Sequence, residues 1–403
     1  FKNFTEDSHI SLSGNFTTDI NIKTATGQKE VTTRQIFYKN VNDGIGLNEV
    51  IYVDSLEMFV GVGSSILTST DCVTWTPRVF GVTMRSVCYS KSQNLFVAVG
   101  NNTNNTVDTY TSTDGINWTL HSFSSPRTIY SVCYSEHLNL FVMVGQYGNV
   151  YTSEDGETWT NSTPASYDFT DIIWCEEKSM FLASCGNVYT STNGVNWTSH
   201  SANVKSVCYS KSLDLFVGVG SSGSVYTSTD GSTWASRTSG TTNNLYGVAY
   251  SDTLRKFVCV GTSITITSVN GVNWIAKTNT NDLRSVCYAE ALGVFFTVGV
   301  KTQTGVILKS VDGINWSGEQ IGYTTIFQSV SYSQKLSRFV FTGINNNTLF
   351  YSDFSSGENI IASLTSDSDM GLSLVQGDNK LLLSADSGYV HGTLTYRQKY
   401  IGG

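Results

Sequence analysis

Proline is nearly absent from this 403-residue chain, which has three, and charged residues make up 14% of it, well under the roughly one quarter usual in soluble domains. At 40% hydrophobic residues the chain buries too much apolar surface to be disordered. No apolar run approaches the ~20 residues that a membrane-spanning helix needs, so membrane insertion is not expected. No long stretch shows the 3.6-residue period of an amphipathic helix, which excludes a helical solenoid. A net charge of −8 leaves no clustered Lys and Arg for a nucleic-acid backbone. No signal peptide is recognisable. The chain opens at Phe1 rather than Met, which suggests a processed or truncated product.

The parts of an active site are equally scarce. Nine arginines are too few for the cluster that would clamp a substrate carboxylate, and His9, His121, His137, His200 and His391 show no metal-ligand spacing. There is no G-x-S-x-G elbow and no phosphate loop. The acids fall mostly in turns, so no hydrolytic carboxylate pair stands out. The expectation is a protein without catalytic residues, metal or cofactor.

Eight cysteines suggest a disulfide framework until their positions are compared. Cys88, Cys133, Cys208 and Cys287 share one repeat slot, which elsewhere holds Ile51, Ile173, Ala249 and Ser331. A slot that accepts all four residue types packs a small side chain, and free Cys does that well. Reduced thiols imply folding in a reducing cytoplasm.

What the chain has in abundance is repetition. The turn STDGINW (112–118) recurs as STDCVTW (69–75), SEDGETW (153–159), STNGVNW (191–197), STDGSTW (228–234), SVNGVNW (268–274) and SVDGINW (310–316). Seven of the eight tryptophans sit in that slot. Upstream, a strand ends in an aromatic residue eight times, from Tyr52 to Tyr332, with Trp174 in the fourth unit. A second strand follows, built on Phe59, Phe96, Phe141, Phe181, Phe216, Phe257, Phe295 and Phe339. A third strand leads into the turn, and the Trp starts a fourth. Tyr52 and Tyr332 stand 280 residues and seven steps apart, a mean period of 40. Four short strands in about 40 residues is the period of a propeller blade, and Asp-Gly and Asn-Gly supply the tight hairpin turns.

The expected fold is therefore all-β: a propeller over residues 45–353, flanked by an N-terminal β segment (1–44) and a C-terminal one (354–403). The first three strands occur eight times but the Trp strand seven times, so eight four-stranded blades are expected, with seven as the alternative. QIFYKN (35–40) is placed to close the ring by completing the last blade. IIASLT, GLSLVQ, KLLLSA and GTLTYRQKYI read as further strands beyond residue 354. With the ring closed, the two terminal segments can share one small sheet.

The aromatic first strand, the LFVAVG-like second strand and the S-x-D-G-x-x-W turn resemble repeats in surface and fibre-type proteins of large DNA viruses and tailed phages. The turn also looks like the Asp-box of sialidase-type propellers, one residue shorter than the usual S-x-D-x-G-x-x-W. The viral resemblance implies an outward-facing particle component at the virion surface. It would bind a host glycan or receptor, contact other virion structural proteins through its terminal β segments, and could form a homo-oligomer. The alternatives are a sialidase-like glycan hydrolase and a purely structural capsid or filament decoration.

Within the repeat, Asp71, Asp114, Asp155, Asp230 and Asp312 share a slot with Asn193 and Asn270. Free exchange of Asp for Asn favours a turn cap over a calcium or sugar ligand. Asn-x-Ser/Thr triplets at Asn117, Asn196 and Asn315 fall inside the turn motif and have the same structural reading. The slots that differ between units are better candidates for a surface. The one just before each first strand holds Asn48, Arg85, Tyr130, Thr170, Lys205, Tyr246, Arg284 and Gln328. In a propeller the first strand lines the central channel, so these eight residues should ring one mouth of it, locally positive on an acidic protein.

Overall fold

Each repeat folds as an antiparallel meander because its turns are written into the sequence. In a computed structural model of the chain, residues 18–25, 28–40, 46–101, 106–125, 127–290, 292–321, 327–333, 338–343, 349–354, 361–364, 372–375 and 381–382 are described. In the second repeat, Met84–Ser90 pairs with Leu95–Asn101, which pairs with Thr106–Ser112, which pairs with Thr119–Ser124. Tyr89 stands opposite Phe96, and Phe96 opposite Ser112, so the aromatic slots are cross-strand neighbours. The first five repeats, from Leu47 to Arg237, each form a separate four-stranded sheet of this kind.

The molecule is an all-β propeller, with a different division into sheets from the one expected. The sixth and seventh repeats share one six-stranded sheet, because the strand Ile275–Ala289 is continuous. Its first half pairs with Ile264–Thr267 and its second half with Val294–Val300. Most other links between repeats carry Gly or Pro, such as FGVT and SSPRT, but SANVK (201–205) has neither and still separates two sheets, so the lack of a breaker in AKTNTNDL permits the continuous strand without dictating it. In the last repeat, Phe327–Ser333, Arg338–Gly343 and Leu349–Phe354 lie in order in another six-stranded sheet. Eight separate four-stranded blades, or seven, are therefore not what the pairing gives.

The chain divides into two compact units, 39–351 and a second made of 1–38 with 352–403. In the second unit Thr18–Ala25 pairs antiparallel with Gln28–Asn40, with Thr18 opposite Gln35, and Leu381–Leu382 pairs with the same long strand. Ile361–Leu364 and Leu372–Val375 form a separate hairpin. Residues 1–17 of the N-terminal β segment and the strand expected at GTLTYRQKYI (392–401) lie outside the described residues.

In the larger unit the core sits in the seams between repeats, because each second strand has a repeat packed on either side. Met58–Gly63 is buried at every position, as a strand covered on both faces must be. One seam packs Val60, Val62 and Ile66 of the first repeat against Met84, Val87 and Phe96 of the second. The next packs Val97, Val99 and Val107 against Ile129, Val132 and Phe141. The last repeat meets the first in the same way: Val340 joins Leu47, Phe59, Cys72 and Trp75, and an Arg338 guanidinium nitrogen donates to the Asp71 carbonyl. Cys88, Cys133 and Cys208 each lie against the core of the following repeat. They carry free thiols whose pKa values burial pushes up.

The Asp slot is a turn cap. Asp114 Oδ1 accepts from the Ile116 and Asn117 amides at 2.8 Å each and from Ser112 Oγ at 3.0 Å. Asn193 holds the equivalent amides of Val195 and Asn196 at 3.0 and 2.8 Å. The two backbone N–H donors hold the Asp114 carboxyl well below the usual carboxylate range. The Trp118 indole donates to the Gly115 carbonyl at 2.8 Å. Its ring lies 5.8 Å from that of Phe96, which lies 4.6 Å from that of Tyr89. Strand-end aromatic, Phe and turn Trp thus stack across the blade.

Candidate functional site

The eight variable positions begin with a backbone device that the sequence does not display. At Asn48, Arg85, Tyr130, Tyr246, Arg284 and Gln328 the pairing register slips, between Leu47 and Glu49, Met84 and Ser86, and so on round the ring. Each of these residues is the extra one of a β-bulge, which bends its strand and re-aims its side chain. The residue before it is a buried anchor: Leu47, Met84, Ile129, Leu245, Leu283 and Phe327 are at most 1% exposed. A glycine at the end of the second strand makes room for the incoming chain. A Cβ on Gly100 would lie 2.1 Å from the Thr83 carbonyl oxygen. Thr170 and Lys205 fill the slot without a bulge, and their amides donate to the Ser184 and Val219 carbonyls at 2.8 and 2.7 Å.

The structure brings three of the eight together. Lys205 Nζ lies 5.4 Å and Arg284 Cζ 4.5 Å from the centroid of the Tyr246 ring, so three successive repeats converge on one aromatic side chain. Asn48 is committed elsewhere, its Nδ2 donating to the Met84 carbonyl at 2.6 Å. Thr170 Oγ1 is held at the Ser184 carbonyl at 3.2 Å. Arg85 is exposed and Tyr130 half-buried. The side chain of Gln328 lies outside the described residues.

The fold can now be set beside known structures. It is similar to one described as the WD40 beta propeller domain of Doa1, with 12% identity over 68% of this chain and 93% of that one and a TM-score of 0.49. It is also similar to Sqt1 of Saccharomyces cerevisiae, with 7% identity, 78% and 97% coverage and a TM-score of 0.61. Sqt1 from Chaetomium thermophilum matches at 10% identity, 80% and 100% coverage and a TM-score of 0.60. No protein-family model and no curated protein matches the sequence. At such identities the likeness speaks for the fold alone.

The rim is of mixed charge rather than simply positive. Arg284 Nη2 is paired with Asp282 Oδ2 at 2.8 Å. One residue along from the variable slot runs a column that sequence reading passed over: Glu49, Ser86, Ser131, Asp171, Ser206, Gly247, Ser285 and Ser329. Its signal was two acids in a run of small residues. Glu49 Oε2 accepts the Val87 amide at 2.9 Å, Ser86 Oγ the Val132 amide at 3.1 Å, and Asp171 Oδ1 the Ser131 hydroxyl at 3.1 Å. These bonds tie neighbouring first strands together. A cavity of about 10 Å³ beside Asp171, Ser184, Val188 and Val207 has room for roughly one water. Among the described residues no three His, Cys, Asp or Glu side chains gather as metal ligands.

Burial raises the Glu49 carboxyl from its ordinary 4.5 to about 7, against the lowering pull of the Val87 amide and Ser86, and Asp171 nearby adds to the rise. The folded state therefore holds this proton more firmly than the unfolded chain. The resulting stabilisation is complete below about pH 4.5 and is lost as pH rises through about 7. Glu49→Gln should flatten the fall in urea midpoint between pH 5 and pH 8. An unaltered fall in the variant would show that this carboxyl does not titrate with folding.

Proposed function

We propose that this protein is a non-enzymatic virion surface or fibre-type component whose propeller binds a host receptor, in the first instance a glycan, or a neighbouring particle protein. The observation that carries the reading is the bulge at six of the eight variable positions. Packing slots repeat from unit to unit, whereas the bulged slot holds Asn, Arg, Tyr or Gln while keeping its backbone position. A fold that fixes the scaffold and varies only the rim is suited to recognition. The rim's Tyr and Arg are residue types that carry binding energy at interfaces. The S-x-D-G-x-x-W turn and its similarity to viral surface repeats support the placement on a particle.

In this reading the terminal β segments attach the propeller to other virion proteins.

The test is a glycan array followed by a turnover assay on every glycan bound. Arg85→Ala, Lys205→Ala and Arg284→Ala combined should weaken binding by about tenfold or more, since rim charges govern encounter and specificity, with the melting temperature unchanged. Binding unaffected by the triple substitution overturns the rim as the site. Product formation from a bound glycan would replace the reading with a hydrolase.

A further inference from the structure

A second cluster stands on the third repeat, outside the eight rim positions. The second strand of that repeat, Leu140–Gly145, ends in a single turn of 3₁₀ helix at Gln146–Gly148. The fifth repeat has the same turn at Ser221–Gly223. In both, the middle residue is left-handed: Tyr147 at φ 54°, ψ 37° and Ser222 at φ 55°, ψ 34°. In both, its amide donates to a side chain of the next segment, at 2.8 Å to Asp168 Oδ1 and at 2.9 Å to Asn244 Oδ1. The backbone task is thus identical, and serine performs it. A bulky aromatic residue in this conformation is strained, so the Tyr147 ring is there for a reason other than the turn.

That ring is 49% exposed, and the Arg127 guanidinium carbon lies 4.3 Å from its centroid. Arg127 is held in place from two sides. Asn101 Nδ2 donates to the Arg127 carbonyl at 2.8 Å while Asn101 Oδ1 accepts from the Ile129 amide at 2.8 Å. The Gln146 amide donates to the Thr128 carbonyl at 2.8 Å. Among the described residues no carboxylate pairs with Arg127. A guanidinium stacked on an aromatic face keeps its in-plane N–H fork free and pre-oriented for a bidentate carboxylate.

We infer that Arg127 and Tyr147 form a subsite for an acidic saccharide, the guanidinium holding its carboxylate and the Tyr147 ring its C–H face. A saccharide is chosen over an acidic peptide because its ring lies flat on an aromatic face, and Tyr147 offers such a face beside the guanidinium. The inference rests on the proposal that this face binds a glycan, but it stands on different residues.

The probe is glucuronic acid, titrated into the whole ¹⁵N-arginine-labelled protein and followed at the Arg127 Nε–H signal, which is assigned by its loss in Arg127→Lys. The expected result is a saturable shift with glucuronate, none with glucose, and an affinity at least tenfold weaker in Tyr147→Ser at a melting temperature no lower than the parent's. The fold tolerates that variant, since Ser222 occupies the equivalent position. A silent Arg127 signal, an equal response in Tyr147→Ser, or an equally tight response to acetate or to an oligoglutamate peptide would each overturn the subsite. A saturable glucuronate shift beside an array that binds no glycan would support the subsite while sinking the receptor reading.

Discussion

Gly313→Ala is expected to lower stability by about 2–4 kcal/mol, against about 1 kcal/mol for Gly186→Ala. Both glycines are left-handed, at φ +73° and +82°, so both variants carry the strain of placing a Cβ there. The surroundings separate them. A Cβ on Gly186 meets nothing within 4 Å, whereas one on Gly313 would lie 2.4 Å from Val258 Cγ2 and 3.5 Å from Phe295 Cε2. Val258 is fully buried in the seam with the preceding repeat and, being β-branched, cannot swing aside cheaply. The turn glycine therefore does two jobs, permitting the hairpin and letting the turn press onto its neighbour. Urea midpoints of the two variants, read by far-UV circular dichroism, decide the matter. Equal losses would mean that only backbone strain counts and that the turn takes no part in the seam.

That second job refines the reading of the Asp-Gly turn, and it marks where sequence and structure part. The capping role of Asp114 and its counterparts was legible because the repeats offer an internal comparison, with Asn193 and Asn270 in the same slot. The seam role was not, since a glycine's neighbours in space leave no trace beside it in the chain. Cys72 carries the same lesson: it occupies the glycine slot at φ 63°, fully buried where the first repeat meets the last. The merging of the sixth and seventh repeats could not be read from AKTNTNDL alone, because SANVK (201–205) also lacks Gly and Pro and yet separates two sheets. The bulges could not, because one extra residue per strand leaves the alternation on either side intact.

The candidate site shows the same division. The variable slot was found by comparing units, but the pairing of Arg284 with Asp282 across the bulge is a matter of register. Tyr147 was invisible as a candidate because its sequence, Gln-Tyr-Gly, resembles any polar turn. Only the backbone angle and the matching turn at Ser222 show that the aromatic ring is surplus to folding. In a repeat protein the residues most worth testing are those where one unit spends strain that its neighbours avoid.

Phe96→Ala should cost about 3–5 kcal/mol, the usual loss for a fully buried aromatic residue. Phe96 has no exposed surface and sits between Tyr89 and Trp118, at ring distances of 4.6 and 5.8 Å. It also belongs to the seam built from Val60, Val62 and Ile66 of the preceding repeat. Its removal leaves a cavity bordered by two repeats, and neither can collapse into it without shifting a strand paired on both sides. Phe96→Leu keeps most of the volume and should cost under about 2 kcal/mol. In an open repeat array such a lesion acts through nearest neighbours and lets one segment melt first. Here the last repeat packs on the first through Val340 and Arg338, so opening one seam removes support from both directions. Circular dichroism and tryptophan fluorescence should therefore report one coincident urea transition in Phe96→Ala, at a lower midpoint than in the parent. A loss below about 1 kcal/mol would contradict the packing argument. Two separated transitions would contradict the closed ring, because a ring joined at every seam has no free end from which to unravel.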